Sequence, residues 1–434
     1  MKIGFVSLPM TGHLNPMTAL ARKLQSRGHE VVFFGAPDAE AIVRAANLDF
    51  IPFGEKEFPA GSMDEPFAVM SRLQGIEVVR YALRELHPGL CQVALDQLPG
   101  KLAKAGVEAM VIDTVHFFVE LVPMSLGIPY VHVWNTLPLD RSGSTPPYSF
   151  TWPYETTPEA LARNKKALKN SRDLFAPVFA VAKPWAEKYG LTIDWSDPSA
   201  TVSKLAVISQ TPKEFDFPIP TLPPQFHYAG PFHDGKGREP IPFPWEKLTG
   251  EPLIYASMGT QVNGLDQVYR TILGAVGRLP GNQLVLSVGS NVSAGDLGSI
   301  PSNAIVVARA PQIELLKRAA LCITHAGLNT TLESLTFGVP MVAIPITFDQ
   351  PGVAARIAHH KVGEFVEVAD LTVERLSELI QAVMNSNYRM RARYFQRVIA
   401  ETHGLDVATD AIERAFAGVQ PMGLGKGYTT LSYS

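Results

Sequence analysis

The chain has 434 residues, 46% of them hydrophobic and 18% charged, which fits a well-packed globular protein of two or three domains and excludes a disordered one. Its formal net charge is −3 and no long basic run occurs, which argues against nucleic acid as the main partner, because neutralising phosphates takes clustered Lys and Arg. The two cysteines, Cys91 and Cys322, lie far apart among apolar neighbours and read as buried free thiols of a reducing compartment.

The opening MKIGFVSLP carries one lysine and a short apolar run that stops at Pro9, so it reads as a strand over Lys2–Ser7 and not as a signal peptide. Further strands are expected at Glu30–Phe34, Ala109–Ile112, Tyr130–Trp134 and Leu205–Ser209, with helices at Pro16–Arg27, Asp38–Ala46 and Glu77–Leu98 between them. After a Gly-, Pro- and charge-rich stretch at 233–252, the plan repeats. Strands are expected at Leu253–Ala256, Leu284–Val288, Ile305–Val307, Leu321–Thr324, Met341–Ile344 and Phe365–Val368. Helices are expected at Gln267–Arg278, Gln312–Arg318, Thr330–Phe337, Gly352–His360 and Val373–Met384.

Short apolar strands alternating with helices imply parallel sheets buried on both faces. The expected class is therefore α/β: two Rossmann-like, doubly wound domains facing one another across a cleft, residues 1–232 and 253–418, joined by a linker at 233–252 and followed by an aperiodic tail at 419–434. No run of about eighteen apolar residues occurs, so no transmembrane helix is expected and a cytoplasmic protein is. Motifs should collect at the carboxyl ends of the strands.

THAGLNTTLE (324–333) is such a motif. A strand delivers His325, Gly327 leaves room for close approach, and Asn329 and Thr330 open a helix whose free N–H groups suit an anion such as a diphosphate. Glu333, one turn on, suits the paired hydroxyls of a ribose. Helix capping would explain Asn329 or Thr330 but not the whole set. YASMGT (255–260) adds Ser257, Gly259 and Thr260 in a small hydroxyl-lined turn, and PITFDQPG (345–352) adds Asp349 and Gln350, a donor–acceptor set for sugar hydroxyls or, equally, a helix N-cap.

In the first half, LPMTGHLNP (8–16) places His13 beside a helix start read at Asn15 and Pro16. An imidazole there suits a general base, and Asp113 at the end of MVIDTVHFF (110–118) suits its orienting carboxylate, with a helix cap as the alternative. Met10, Phe67, Met70, Phe117, Phe118 and Trp134 form a candidate apolar acceptor pocket, or simply core.

HAGLNTTLES followed by GVPMVAIPITFDQ resembles the carboxyl-terminal signature of the UDP-dependent glycosyltransferases, glycosyltransferase family 1 with the GT-B fold. TGHLNP with Asp113 resembles the family's amino-terminal catalytic pair, and ISQTPKEFDFP with FHYAGPF is similar to bacterial members that glycosylate carotenoids or macrolides. The resemblance implies inverting transfer of a hexose, glucose first, from a UDP-sugar to a hydroxyl of a hydrophobic alcohol or phenol. In that scheme His13 is the base and Asp113 its orienter. Ser257, Gly259, Thr260, His325, Gly327, Asn329 and Thr330 hold the diphosphate, Gln312 and Glu333 the ribose, and Asp349, Gln350, Asn135 and Thr136 the sugar. Arg309 stands where the family usually has a tryptophan stacked on the uracil. A guanidinium also stacks on a base, and Ala310 can read the uracil edge, but a thymidine-linked donor then stays open.

With no Asp-x-Asp triplet and no metal-ligand spacing, neither a metal nor another cofactor is expected beyond the co-substrate. A lipophilic acceptor would bring the protein to a membrane surface. A nicotinamide dehydrogenase would need Gly-x-Gly-x-x-Gly after the first strand, where Leu8-Pro9-Met10-Thr11-Gly12-His13 stands. The alternative kept is a sugar-nucleotide epimerase of similar fold that needs no acceptor. A non-catalytic relative ranks below both, because His13 is present.

Overall fold

The computed structural model describes residues 1–418 apart from 221, 239, 290 and 291; the expected tail at 419–434 lies outside the described residues. Two parallel sheets dominate. The first holds β1 Lys2–Val6, β2 Glu30–Gly35, β3 Asp49–Pro52, β4 Ala109–Asp113, β5 Tyr130–Trp134, β6 Val207–Ser209 and β7 Phe226–Tyr228, in the order β3-β2-β1-β4-β5-β6-β7. The second holds β8 Leu253–Ser257, β9 Gln283–Ser287, β10 Ala304–Val307, β11 Ala319–Thr324, β12 Met341–Ala343 and β13 Gly363–Phe365, in the order β10-β9-β8-β11-β12-β13. Each order reverses direction beside a central strand, between β1 and β4 and between β8 and β11. Loops diverge at those points and leave a crevice at the carboxyl ends.

The central strands are apolar on both faces because helices cover both: Ile3, Phe5, Val111, Ile254, Ala256 and Ile323 have essentially no exposure. Two edge strands, β3 and β7, escape the sequence reading. They are only four and three residues long, and β7 is half-buried throughout, so neither shows a continuous apolar run. The strand expected at Phe365–Val368 lies earlier, at Gly363–Phe365. Gly363 permits this, since a Cβ there would stand 2.0 Å from the Met341 carbonyl oxygen of the neighbouring strand.

The helix expected from Pro16 starts at Thr11, so Asn15 is no cap and Pro16 sits inside the helix. Proline lacks the N–H that would bond back to Gly12, and the freed Gly12 carbonyl instead accepts the Asn329 Nδ2 amide from the other half of the molecule at 2.6 Å. The helix expected at Glu77–Leu98 runs as Ile76–Tyr81, a π-helical turn Ala82–Leu86, and His87–Ala105.

The chain does not finish with the second sheet. Helix Tyr388–Thr402 ends at His403, in the left-handed region at φ 49°, and helix Gly404–Ala417 returns to the first sheet. There Ala408, Ala411, Ile412 and Phe416 join the core of Ile3, Phe5 and Leu20, and Arg27 bonds Asp406, Asp410 and Glu413. The unit expected at 253–418 therefore gives up its last helix to the amino-terminal half. A second tie is buried: Arg356 donates twice to Asp216 Oδ1, at 2.8 and 2.7 Å, while Tyr228 donates to the other carboxylate oxygen at 2.6 Å.

Candidate active site

A cleft of about 950 Å³ opens at the carboxyl ends of both sheets, at the upper end of the ~300–1,000 Å³ usual for small-molecule sites. It gathers His13, Asn135, Thr136, Ser257, Gly259, Thr260, Gln312, His325, Gly327, Asn329, Thr330, Asp349 and Gln350 from six segments that follow strands.

On one wall, His13 sits in the first turn of helix Thr11–Ser26, not ahead of it. Its Nδ1 lies 2.9 Å from Asp113 Oδ2, and Ser7 donates its hydroxyl to the same oxygen at 2.7 Å. A carboxylate that accepts from Ser7 and from the Val115 amide calls for the Nδ1–H tautomer of His13, which leaves the Nε2 lone pair outward. Burial works against charge on His13, but Asp113, by its charge and its hydrogen bond, outweighs burial and raises the imidazole above its ordinary value. Burial alone would raise the wholly buried Asp113; His13, Ser7 and Val115 hold it below the usual carboxylate range. Asp113 caps no helix, since the next one starts at Leu121.

On the facing wall, β11 delivers His325. The chain turns at Ala326, whose φ is 63°, and helix Leu328–Thr336 follows. Gly327 has an ordinary backbone (φ −60°, ψ 134°), so the turn does not require glycine there. Space does: a Cβ on Gly327 would stand 2.4 Å from His325 Nε2, and one on Gly259 would stand 2.7 Å from the same atom. The imidazole lies between the two glycines. Burial lowers its pKa to about 4, so it is neutral at physiological pH, and its buried Nδ1 has no hydrogen-bond partner among the described residues.

The capping alternative fails for this motif. Asn329 bonds Gly12 and accepts from Gln210 at 2.9 Å, while Thr330 accepts from Gln312 at 3.3 Å. Glu333 is buried, takes the Gln312 amide at 2.7 Å on one oxygen, and pairs through the other with Arg238. Arg238 arrives on the segment between the sheets and was not legible as a site residue. His233 on the same segment reaches Thr336 at 3.1 Å, and Arg22 of the His13 helix holds Asp234 at 2.7 Å.

Asp349 precedes helix Gln350–His359 without capping it; its carboxylate accepts the Leu137 N–H across the cleft at 2.9 Å. Burial raises its pKa, partly offset by that N–H and by His13. Gln350 uses its oxygen on the Ile346 and Thr347 amides. Asn135 is 4% exposed, and neither polar atom of its side chain has a partner among the described residues. Such a group costs free energy until a ligand or water meets it.

Three nucleoside candidates stand apart from the cleft lining: Glu333 lies buried behind Gln312, which does line it, and the other two are Arg309 and Ala310. Arg309 is exposed on the loop before helix Gln312–Leu316, and Ala310 packs into the core below it. The apolar pocket also differs from expectation. Met10 and Phe117 line the cleft, but Phe67, Met70, Phe118 and Trp134 do not. Met70 is core, with Phe67 packed against that core, and Phe118 meets Phe179 at a tilt and Trp195 edge-on. The actual apolar wall comes from Ile76, Val79 and Leu83 on one helical stretch and from Tyr148, Phe150, Leu174 and Phe175. Helical periodicity marks those residues only as buried, because cleft and core look alike in a sequence.

Two Rossmann-like sheets facing across such a cleft define the GT-B glycosyltransferase fold. The solved glycotransferase of kitacinnamycin superposes with a TM-score of 0.74 at 24% identity, covering 95% of this chain and 98% of that one. VinC, solved in complex with DTDP, gives 0.70 at 18% identity over 96% and 100%. The family profile described as UDP-glucoronosyl and UDP-glucosyl transferase matches residues 181–401, just over half of the chain, and the chain belongs to that family. It is a glycosyltransferase.

Its relatives include the zeaxanthin glucosyltransferase of Pantoea ananas, 26% identical over 98% of both chains. The demethyllactenocin mycarosyltransferase of Streptomyces fradiae is 27% identical over 95% of this chain and 86% of its own. These are named as transferases, so the epimerase alternative finds no support in them. No helix among the described residues is long and apolar enough to cross a membrane.

Proposed function

We propose that the protein transfers a hexose from a nucleoside-diphosphate sugar to a hydroxyl of an apolar small molecule, with inversion at the anomeric carbon. UDP-glucose is the first donor to test. The observation that carries this reading is the His13–Asp113 pair at 2.9 Å on the wall of the shared cleft. His13 Nε2 takes the proton of the acceptor hydroxyl as its oxygen bonds to the anomeric carbon and the sugar–diphosphate bond breaks. Asp113 holds the Nδ1–H and stabilises the imidazolium that forms.

Charge then builds on the departing diphosphate, opposite the neutral His325, the hydroxyls of Ser257, Thr260 and Thr330, and the amino end of helix Leu328–Thr336. Glu333 and Gln312 suit the ribose hydroxyls, since a carboxylate with two bonds made keeps lone pairs for two more. Asp349, Gln350, Thr136 and the unpaired Asn135 are the candidates for the sugar hydroxyls. Arg309 is the candidate to stack on the base at the exposed rim, a contact that would accept thymine as readily as uracil. No residue is assigned to a metal.

The relatives named for zeaxanthin and for demethyllactenocin support a bulky, lipophilic acceptor, as does the apolar wall. The test pairs UDP-glucose, other UDP-sugars and thymidine-diphosphate sugars with a panel of apolar alcohols and phenols, read by mass spectrometry. Acceptors heavier by one hexose are expected. Conversion of the sugar nucleotide with no acceptor product would overturn the reading.

A further inference from the structure

One polar side chain in the apolar wall has no hydrogen-bond partner among the described residues. His87 opens helix His87–Ala105 directly after the π-helical turn Ala82–Leu86. Such turns hold an extra residue, re-aim the side chains around them and gather at functional sites. Ala82, Leu83 and His87 all reach the cleft.

The His87 ring packs on Phe117, with centroids 4.8 Å apart, and neither ring nitrogen is bonded within the described residues. The side chain is only 9% exposed, and the exposure it keeps is to the cleft it lines. By contrast, the buried His132 accepts the Ser203 N–H at 3.1 Å, and the half-buried His360 bonds the Phe215 carbonyl at 3.0 Å. An imidazole left unpaired in an apolar wall is costly unless something that enters the cleft completes it. Burial, with His116 and His13 adding to it and Asp113 opposing, lowers its pKa to about 3. It is therefore neutral in any working buffer and offers one N–H and one lone pair.

We propose that His87 is an acceptor-recognition residue: it hydrogen-bonds a second oxygen of an apolar acceptor, set back from the hydroxyl that His13 deprotonates, and so favours acceptors with two polar groups over those with one. This rests on the reading of the cleft as an acceptor site. Ile76, Val79 and Leu83 grip the hydrocarbon frame without regard to its orientation. A hydrogen bond at His87 fixes which hydroxyl meets His13.

The test is a fluorescence titration of the full chain, with UDP present, using 2-naphthol and the 2,3-, 2,6- and 2,7-dihydroxynaphthalenes. At least one diol should bind roughly five- to tenfold more tightly than 2-naphthol, the scale of one net hydrogen bond. His87→Leu should abolish that ratio and His87→Gln, which keeps a donor and an acceptor, should retain part of it. Circular dichroism establishes that both variants fold, and His87→Phe replaces His87→Leu if it does not. No diol preference in the unaltered chain, or a preference that survives loss of the imidazole, overturns the proposal. Because binding needs no turnover, a His87-dependent preference without any hexose transfer would remove the transferase mechanism but not this role. Hexose transfer without the preference would do the reverse.

Discussion

The Asn329 side-chain amide donates to the Gly12 carbonyl oxygen at 2.6 Å, an oxygen free only because Pro16 has no N–H to offer it. A residue of the proposed diphosphate site thereby touches the turn before His13. Asn329→Ala should weaken both ends. We expect a donor KM raised about five- to tenfold, from the loss of one or two hydrogen bonds, and a smaller fall in kcat as the first turn of the His13 helix loosens. Steady-state kinetics with varied donor separates the two effects.

Arg238, itself partly exposed, gives the buried Glu333 its countercharge. Removing one partner of such a pair strands a carboxylate and is far costlier than never having had the pair. Arg238→Ala should therefore raise the donor KM at least tenfold while acceptor KM changes less than twofold. Calorimetric titration with UDP checks the same point without turnover.

The glycine at 327 answers to space and not to its backbone angles. Gly327→Ala should keep the thermal midpoint within a few degrees, because φ −60° suits alanine. Donor binding should drop by an order of magnitude or more as the new methyl displaces His325 from its slot. Gly259→Ala, at φ 83°, should lower both stability and donor binding.

Much of this arrangement was legible in the residues. His325, Asn329, Thr330 and Glu333 follow one strand at helical spacing, and His13 and Asp113 each follow a buried strand, so strand ends alone bring them to one crevice. What escaped lies on segments without a period. Arg238 sits in a Gly- and Pro-rich stretch where nothing in the sequence fixes the path of the chain. Asn15 and Pro16 pointed to a helix start because proline is favoured in a first turn, yet the Asn329 bond makes an interior proline tolerable. Helix Gly404–Ala417 looks like an ordinary amphipathic helix, and periodicity does not say which sheet it covers.

The buried Arg356–Asp216 pair joins helix Gln350–His359 to the segment after β6. Arg356→Ala strands Asp216 and should destabilise the chain by about 3–5 kcal/mol in urea unfolding.

The pH dependence of kcat/KM reports the pair on the cleft wall. His13 works as a base only when neutral. Because Asp113 raises its pKa, the proton stays on to a higher pH, and the acid limb should fall above 6.5. Asp113→Asn removes the raising charge and leaves burial, so the limb should move below 6.5, with kcat reduced by about 10²–10⁴.

The most direct measurement compares His13→Ala with the unaltered chain, following hexose transfer by mass spectrometry and UDP affinity by calorimetry on the same preparations. With His13 as the base, turnover falls by about 10²–10⁴ while the UDP dissociation constant changes by less than about twofold. Unchanged turnover, or a loss of UDP binding that matches the loss of rate, would contradict the role given to His13.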